Sequence, residues 1–157
     1  MDALRSHLVK SLRGGQAFVS YRRGLEGVKP ELRGVRTSKA THSIYEELEH
    51  MRRAQTGLYN YMLDSDWQSP EWPGGYWPPP DKEPTEEEWR ETFDGFFGDL
   101  EGAVKLVEDP EIDVLGVVPG ATEYTYLREI LIIVEHNAYH FGKILDIRKS
   151  LGDWKRR

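Results

Sequence analysis

Apolar residues recur every three or four positions in four long segments of the chain, a spacing typical of amphipathic helices. The segments run over residues 2–12, 43–63, 85–108 and 122–151. No alternating strand pattern and no internal repeat accompanies them. The sequence therefore predicts an all-α fold, most simply an antiparallel four-helix bundle that occupies residues 1–157 as a single domain.

Polar residues at the starts of three segments support these helices. Ser43 with Glu46, and Thr85 with Glu88, have the spacing of a capping box, in which two side chains satisfy the free N–H groups of the first turn. Asp2 is a plausible N-cap for the first helix. We therefore expect helices to begin close to residues 3, 44 and 86.

A glycine pair, Gly14-Gly15, interrupts the first helix. Helical spacing resumes in the four apolar residues that follow, which are Ala17, Phe18, Tyr21 and Leu25. Gly27 and Pro30 then stop the pattern. A short second helix is predicted here, followed by a basic connection over residues 28–41.

Each predicted helix has an apolar face that should point into the core. The members are Leu4, Leu8 and Leu12; then Ile44, Leu48, Met51, Gln55, Leu58 and Met62; then Trp89, Phe93, Phe96, Leu100, Ala103 and Val107; and finally Leu127, Ile130, Leu131, Val134, Ala138, Phe141 and Leu145. The last helix is apolar over most of its circumference, as expected for a helix surrounded by several others.

Residues 64–84 form a segment rich in proline and tryptophan. Six of the nine prolines and three of the five tryptophans lie in it, and such a proline density excludes a helix or a central strand. A disordered linker is one interpretation. We favour an ordered loop that packs on the bundle, because Trp67, Trp72, Tyr76 and Trp77 offer large apolar surfaces.

The composition limits which partners the chain could bind and which residue types could bind a metal. The net charge of −6, with both signs mixed along the chain, argues against a nucleic-acid partner. There is no cysteine, so a metal would have to bind histidine or carboxylate. The first residues lack the apolar run of a signal peptide, and the longest apolar run, 130–134, is too short to span a membrane. We expect a cytoplasmic protein without membrane association.

Three histidines are the candidate metal ligands. His136 and His140 are four apart in the apolar helical segment ILIIVEHNAYHFGKIL, which places them on one face, about 6 Å apart at Cβ. His50, mid-helix at the edge of an apolar face, is the best third ligand. Three imidazoles suit Zn, Ni or Fe and leave a position for water or substrate. The alternative, that these histidines only pack, stays open.

Two familiar metal motifs do not fit. A zincin carries glutamate directly after the first histidine, whereas this chain has Asn137 there. A carboxylate di-iron bundle needs two Glu-x-x-His motifs, whereas the chain offers one, Glu47-x-x-His50. His7 and His42 are weaker ligand candidates because neither lies within such an apolar face. Glu47, Glu129 and Glu135 could orient an imidazole or could simply be solvated.

The stretches THSIYEELEHMRRAQ and YLREILIIVEHNAYHFGKILDIRKSLGDW resemble the second and last helices of the DinB-like (DinB/YfiT-like) superfamily of metalloenzymes. The segment DWQSPEWPGGYWP also looks like a loop found in one branch of that family. The resemblance covers essentially the whole chain and is most specific in EELEH and HNAYHFGKI. It implies a four-helix bundle in which His50, His136 and His140 bind a divalent metal, often nickel or zinc, in a homodimer.

The resemblance also suggests an activity. Characterised relatives include thiol S-transferases that use a low-molecular-weight thiol, while many members have no known reaction. We expect a metal-dependent enzyme acting on a small molecule, such as a thiol S-transferase or a related hydrolase, with the catalytic residues unassigned. The alternative is a non-catalytic, stress-related protein that binds a metal or a small molecule.

Overall fold

The computed structural model describes residues 2–154, and over these residues the chain is helical without a strand; a lone antiparallel bridge joins Val117 to Thr125. The helices are α1 (Ala3–Arg13), α2 (Tyr21–Leu25), α3 (Ile44–Leu63), α4 (Glu86–Glu108) and α5 (Tyr126–Ser150), with a 3₁₀ turn at Pro30–Leu32. The all-α prediction is confirmed. Within residues 2–154, no helix combines the length and the apolar character needed to cross a bilayer.

The predicted caps set the starts of α1, α3 and α4. Asp2 accepts a hydrogen bond from the backbone of Arg5. Both capping boxes are complete, with reciprocal side-chain and backbone bonds at the start of α3 and of α4. Because these bonds are local, sequence spacing alone was enough to locate the three helix starts.

Contacts among four helices close a ring around the core. α3 packs against α4 and α5, and α1 packs against the same two helices from the other side, while the short α2 lies on α5. The most deeply buried large side chains include Phe96 of α4, Phe141 of α5 and Met51 of α3. This arrangement places α3 directly beside α5.

Two predicted helix boundaries were wrong. The short helix begins at Tyr21 and not near Ala17, because the Ser20 hydroxyl caps it by accepting from Arg23. The last helix begins at Tyr126, four residues later than predicted. Thr125 caps this helix by accepting from the Arg128 backbone, and the N–H groups of Tyr126 and Leu127 donate to carbonyls of the preceding loop, so the cap is Thr125 and not Thr122.

The predicted core faces are correct for most positions of α3 and α4 and only partly correct for α1 and α5. Leu4 is 40% exposed and Leu131 is 50% exposed. On α5, Ile133 and Asn137 are buried instead. The reason is that α5 packs against α1, α2 and α3 together. The side of α5 that faces these three helices only partly overlaps the apolar face predicted from the sequence.

The segment 64–84 packs on α3 at its second half. The Arg53 side chain donates to the carbonyl of Trp77, and Pro78 is buried. The expectation that all the large aromatic side chains of this segment are buried was wrong for Trp72, which is 69% exposed. The loop is therefore anchored on α3 around Trp77 and Pro78 and exposed around Trp72.

Candidate metal centre

The three histidines selected from the sequence lie together between α3 and α5. One ligand atom from each of His50, His136 and His140 lies within 4.8 Å of the others. His50 and His140 are buried, and His136 is half-buried. Within residues 2–154, this cluster has the composition and spacing to hold a metal ion.

The Nε2 atoms of His50 and His136 are 3.0 Å apart. Two imidazole nitrogens bound to one metal at about 2.0–2.1 Å are about 3.0–3.4 Å apart, depending on the coordination angle. The separation therefore fits shared coordination, and it also fits a hydrogen bond between the two rings. The partners of the other ring nitrogens show which nitrogens present a lone pair.

The partner of His50 leaves its Nε2 free to bind a metal. His50 Nδ1 lies 2.9 Å from the backbone carbonyl of Tyr76, which can only accept, so Nδ1 carries the proton. In the neutral ring, Nε2 then presents a lone pair toward His136. A loop carbonyl therefore holds one ligand in the metal-binding tautomer.

Glu47 holds His140 in the same metal-binding tautomer. Its Oε2 lies 2.5 Å from His140 Nδ1, and an ionised carboxylate can only accept, so that proton is also on Nδ1. Carboxylate–histidine pairs of this kind orient metal ligands and raise their basicity. The Glu47 side chain is 2% exposed and also accepts from His42 Nδ1 at 3.0 Å. Lys143 Nζ lies 3.6 Å from the same carboxylate.

The charge states of the histidines and of Glu47 agree with these tautomers. Burial lowers the pKa of His50, and burial together with the neighbouring histidines lowers the pKa of His136 to about 4. Burial raises the pKa of Glu47, but the hydrogen bonds from His140 and His42 and the electrostatic effects of His140 and Lys143 together outweigh it, so the net pKa is lowered. At neutral pH the cluster therefore has two neutral imidazoles beside an ionised carboxylate, which suits a divalent cation.

Trp77 covers one side of the cluster. Its ring stacks on His50, with centroids 3.8 Å apart and an interplanar angle of 4°. His42, at 4.0 Å, and His140, at 5.9 Å, are further ring neighbours. The tryptophan thus holds the His50 ring in one plane and restricts solvent on that side. The prediction that the proline-rich loop packs on the helices is confirmed at this position.

A cavity opens beside the cluster, and Trp77 lines it together with the histidines. It has a volume of about 1010 Å³, and all three histidines line it. Further walls come from α3, α5 and the loop, including Tyr61, Trp72 and Tyr139. The volume suits a small-molecule ligand, for which cavities of about 300–1,000 Å³ are usual.

Asn137, which takes the place of the zincin glutamate, has a structural contact. Its amide donates to Gln55 at 2.7 Å, and the Gln55 amide donates to the Phe96 carbonyl at 2.7 Å. These bonds link α5, α3 and α4 through buried polar groups. Asn137 therefore positions α5 and lacks the carboxylate that a zincin needs.

Several contributors to the site were not predicted. Of the three candidate orienting glutamates, only Glu47 contacts a histidine of the cluster; Glu129 pairs with Arg128, and Glu135 is exposed. The Tyr76 carbonyl is a backbone atom and leaves no signal in the sequence. The Trp77 contact depends on the path of a loop. His42, set aside as a ligand, proved to be a second donor to Glu47.

No protein-family model, curated protein or solved structure matched the chain when it was compared with all three, so the resemblance to DinB-like proteins stays a prediction.

Proposed function

We propose that this chain is a metal-dependent enzyme of the DinB-like type, acting on a small molecule as a low-molecular-weight-thiol S-transferase or a related hydrolase. The observation that carries the proposal is the convergence of His50, His136 and His140 at the wall of an open cavity. Two further observations support the same family. EELEH and HNAYHFGKI resemble its segments, and α1, α3, α4 and α5 contact one another in a ring.

In this proposal the three histidines hold one divalent ion, zinc or nickel, with iron as a further candidate. Bound to neutral imidazoles, such an ion supplies Lewis acidity and lowers the pKa of a coordinated water or thiol. Glu47 and the Tyr76 carbonyl orient two of the rings, and Trp77 restricts solvent behind His50. The cavity receives the substrate on the open side.

The cavity supports catalysis over simple metal storage. A storage site needs a closed coordination sphere, whereas this cluster faces about 1010 Å³ of accessible space. In a Co²⁺-substituted protein, we expect a small thiol to change the visible absorption spectrum, because the thiol takes an open coordination position. A spectrum that no thiol or anion alters would favour the non-catalytic binding protein.

The first experiment is metal analysis of the purified chain. We expect about one divalent ion per chain, with loss of stoichiometric binding when any one of the three histidines is replaced by alanine. His7→Ala is the matched control, because His7 is exposed on α1. If the triple-alanine variant binds metal as the wild type does, the site is wrong. A conjugation assay with a panel of small thiols and electrophiles then tests the reaction.

We also propose a homodimer in the cytoplasm, as the resemblance implies. Light scattering coupled to size-exclusion chromatography measures the mass directly. A mass equal to one chain across the accessible concentration range would remove the dimer from the proposal while leaving the metal site untouched.

A further inference from the structure

Three successive carbonyls of the proline-rich loop accept hydrogen bonds from side chains of α3. The Tyr76 carbonyl accepts from His50 Nδ1 at 2.9 Å. The carbonyls on either side of it, those of Gly75 and Trp77, both accept from Arg53 Nη1, at 3.4 and 3.0 Å. His50 and Arg53 are three residues apart on α3, so they are neighbours on one face of the helix. A candidate metal ligand and an arginine therefore bind the same short stretch of loop backbone.

The loop supplies acceptors, and not donors, at this contact. Pro78, Pro79 and Pro80 have no N–H group. The N–H groups of Gly75 and Tyr76 donate to carbonyls earlier in the loop itself. The position of the loop backbone on α3 therefore depends on how firmly the donors of α3 are held.

Glu49 holds the Arg53 side chain in place. Its Oε1 accepts from Arg53 Nε at 2.7 Å, one helical turn away. The Glu49 side chain is 6% exposed, and its other oxygen accepts from the Thr92 hydroxyl of α4 at 2.8 Å. Because a guanidinium is planar and rigid, a carboxylate that fixes its Nε also fixes the direction in which its Nη atoms donate. The Arg53 Nη1 atom is thereby aimed at the loop.

Arg52 binds the same carboxylate but lies against a different element. Its Nε and Nη2 both donate to Glu49 at 2.7 Å. A Cβ built on Gly95 of α4 would lie 2.9 Å from Arg52 Cδ, which places this side chain beside α4. The two arginines share a partner and a charge, and they are 28% and 30% exposed. They differ in that Arg53 contacts the loop, so Arg52 is a matched control.

We propose that Arg53 is a positioning residue for the metal centre. By holding the carbonyls on both sides of Tyr76, it keeps the Tyr76 carbonyl on His50 Nδ1 and the Trp77 ring against the His50 ring. Without Arg53, the loop can move off His50, and the imidazole loses the acceptor that keeps its proton on Nδ1. A neutral His50 with its proton on Nε2 has no lone pair there for a metal. The effect on metal affinity rests on the proposed function, whereas the effect on the tautomer needs no metal.

The first measurement is the tautomer of His50 in metal-free protein at neutral pH. Long-range ¹H–¹⁵N NMR spectra of protein with ¹⁵N-labelled histidine distinguish the two forms, and the His50 signals are those that disappear in the His50→Gln variant. We expect the Nδ1–H form in the wild type and in Arg52→Met, and a mixture of the two forms in Arg53→Met. A wild-type His50 protonated on Nε2, or an Arg53→Met spectrum equal to that of the wild type, would overturn the proposal.

The second measurement is the affinity for Zn²⁺, by competition with a chromophoric chelator. Arg53→Met should lose about 3- to 10-fold, less than the loss of about 10- to 100-fold for removing a direct partner of a ligating histidine, because the Tyr76 carbonyl itself remains. Arg52→Met should change the affinity by about twofold or less, since its contacts lie away from the ligands. Both variants remove an arginine from Glu49, so a purely structural role predicts equal losses. Equal losses would therefore count against a positioning role.

Lysine variants provide the conservative comparison. A lysine at residue 53 can donate to the loop or to Glu49 but lacks the planar fork that binds both. Arg53→Lys should therefore have a Zn²⁺ affinity between those of the wild type and Arg53→Met. If circular dichroism shows that a methionine variant is unfolded, Arg53→Lys and Arg52→Lys decide the question, and equal affinities of these two would overturn the proposal. If the wild type binds no Zn²⁺, the proposed function fails, and the tautomer spectra still decide whether Arg53 positions His50.

Discussion

Replacing Glu47 tests whether the carboxylate that holds His140 contributes to metal affinity. Glu47 uses both oxygens, since Oε2 accepts from His140 and Oε1 accepts from His42. Glu47→Leu removes both acceptors and leaves the His140 Nδ1–H without its partner. Glu47→Gln keeps one oxygen, which can still accept from His140 while the amide nitrogen faces His42.

The expected losses differ between the two variants. Removing a partner that orients a metal-ligating histidine lowers metal affinity about 10- to 100-fold. An unpaired buried N–H costs about 1–3 kcal/mol, which at 1.4 kcal/mol per factor of ten covers the same range. Glu47→Leu should therefore lose about 10- to 100-fold. Glu47→Gln should lose about tenfold or less, because His42 is partly exposed and can change its tautomer.

Competition with a chromophoric chelator measures the affinity for Zn²⁺ at pH 7, and circular dichroism confirms that each variant is folded. Glu135→Gln is the matched control, as an exposed glutamate next to His136 in the sequence. If a folded Glu47→Leu variant binds Zn²⁺ as tightly as the wild type, the carboxylate does not orient a ligand, and the tautomer argument for His140 fails.

Two further predictions concern the scaffold. Gly24→Ala places a Cβ 2.1 Å from the Phe141 ring, so we expect a loss of about 1–3 kcal/mol in the free energy of urea unfolding. Gly98→Ala is the control, because a Cβ there meets open space, and it should be neutral or stabilising by up to about 1 kcal/mol. Equal effects of the two substitutions would contradict the packing argument. For the pH dependence, burial raises the pKa of Glu46, but the hydrogen bonds from Arg36 and from the Ser43 and Asp81 backbone, with the charge of Arg36, together outweigh it and lower the net pKa below 4.5. Its stabilising contribution is therefore present above pH 4.5 and is lost as the pH falls through the folded pKa. The destabilisation caused by Arg36→Met, measured by urea unfolding, should be largest at pH 7 and should shrink toward about pH 3; a constant difference would refute the assigned ion pair.

Local chemistry explains which features of the fold the sequence could predict. The caps at Asp2, Ser43 and Thr85 act over three residues, so their spacing located three helix starts. The start of α5 also has such a cap, because Thr125 accepts from the Arg128 backbone. Threonine occurs at both 122 and 125, and the loop carbonyls that accept from Tyr126 and Leu127 place the start at the second of them. The buried surface of α5 was misplaced for a related reason, since three neighbouring helices decide it.

The amino-acid sequence by itself determined that the chain is helical and that His50, His136 and His140 are the residues to consider, because helical periodicity and the four-residue spacing of a histidine pair are local properties. Only the tertiary structure decided that these side chains meet, that Glu47 and a loop carbonyl set the tautomers of two of them, and that Trp77 stacks on His50 beside an open cavity. Those features depend on the packing of α3 against α5 and on the path of the proline-rich loop, which bring together residues far apart in the chain.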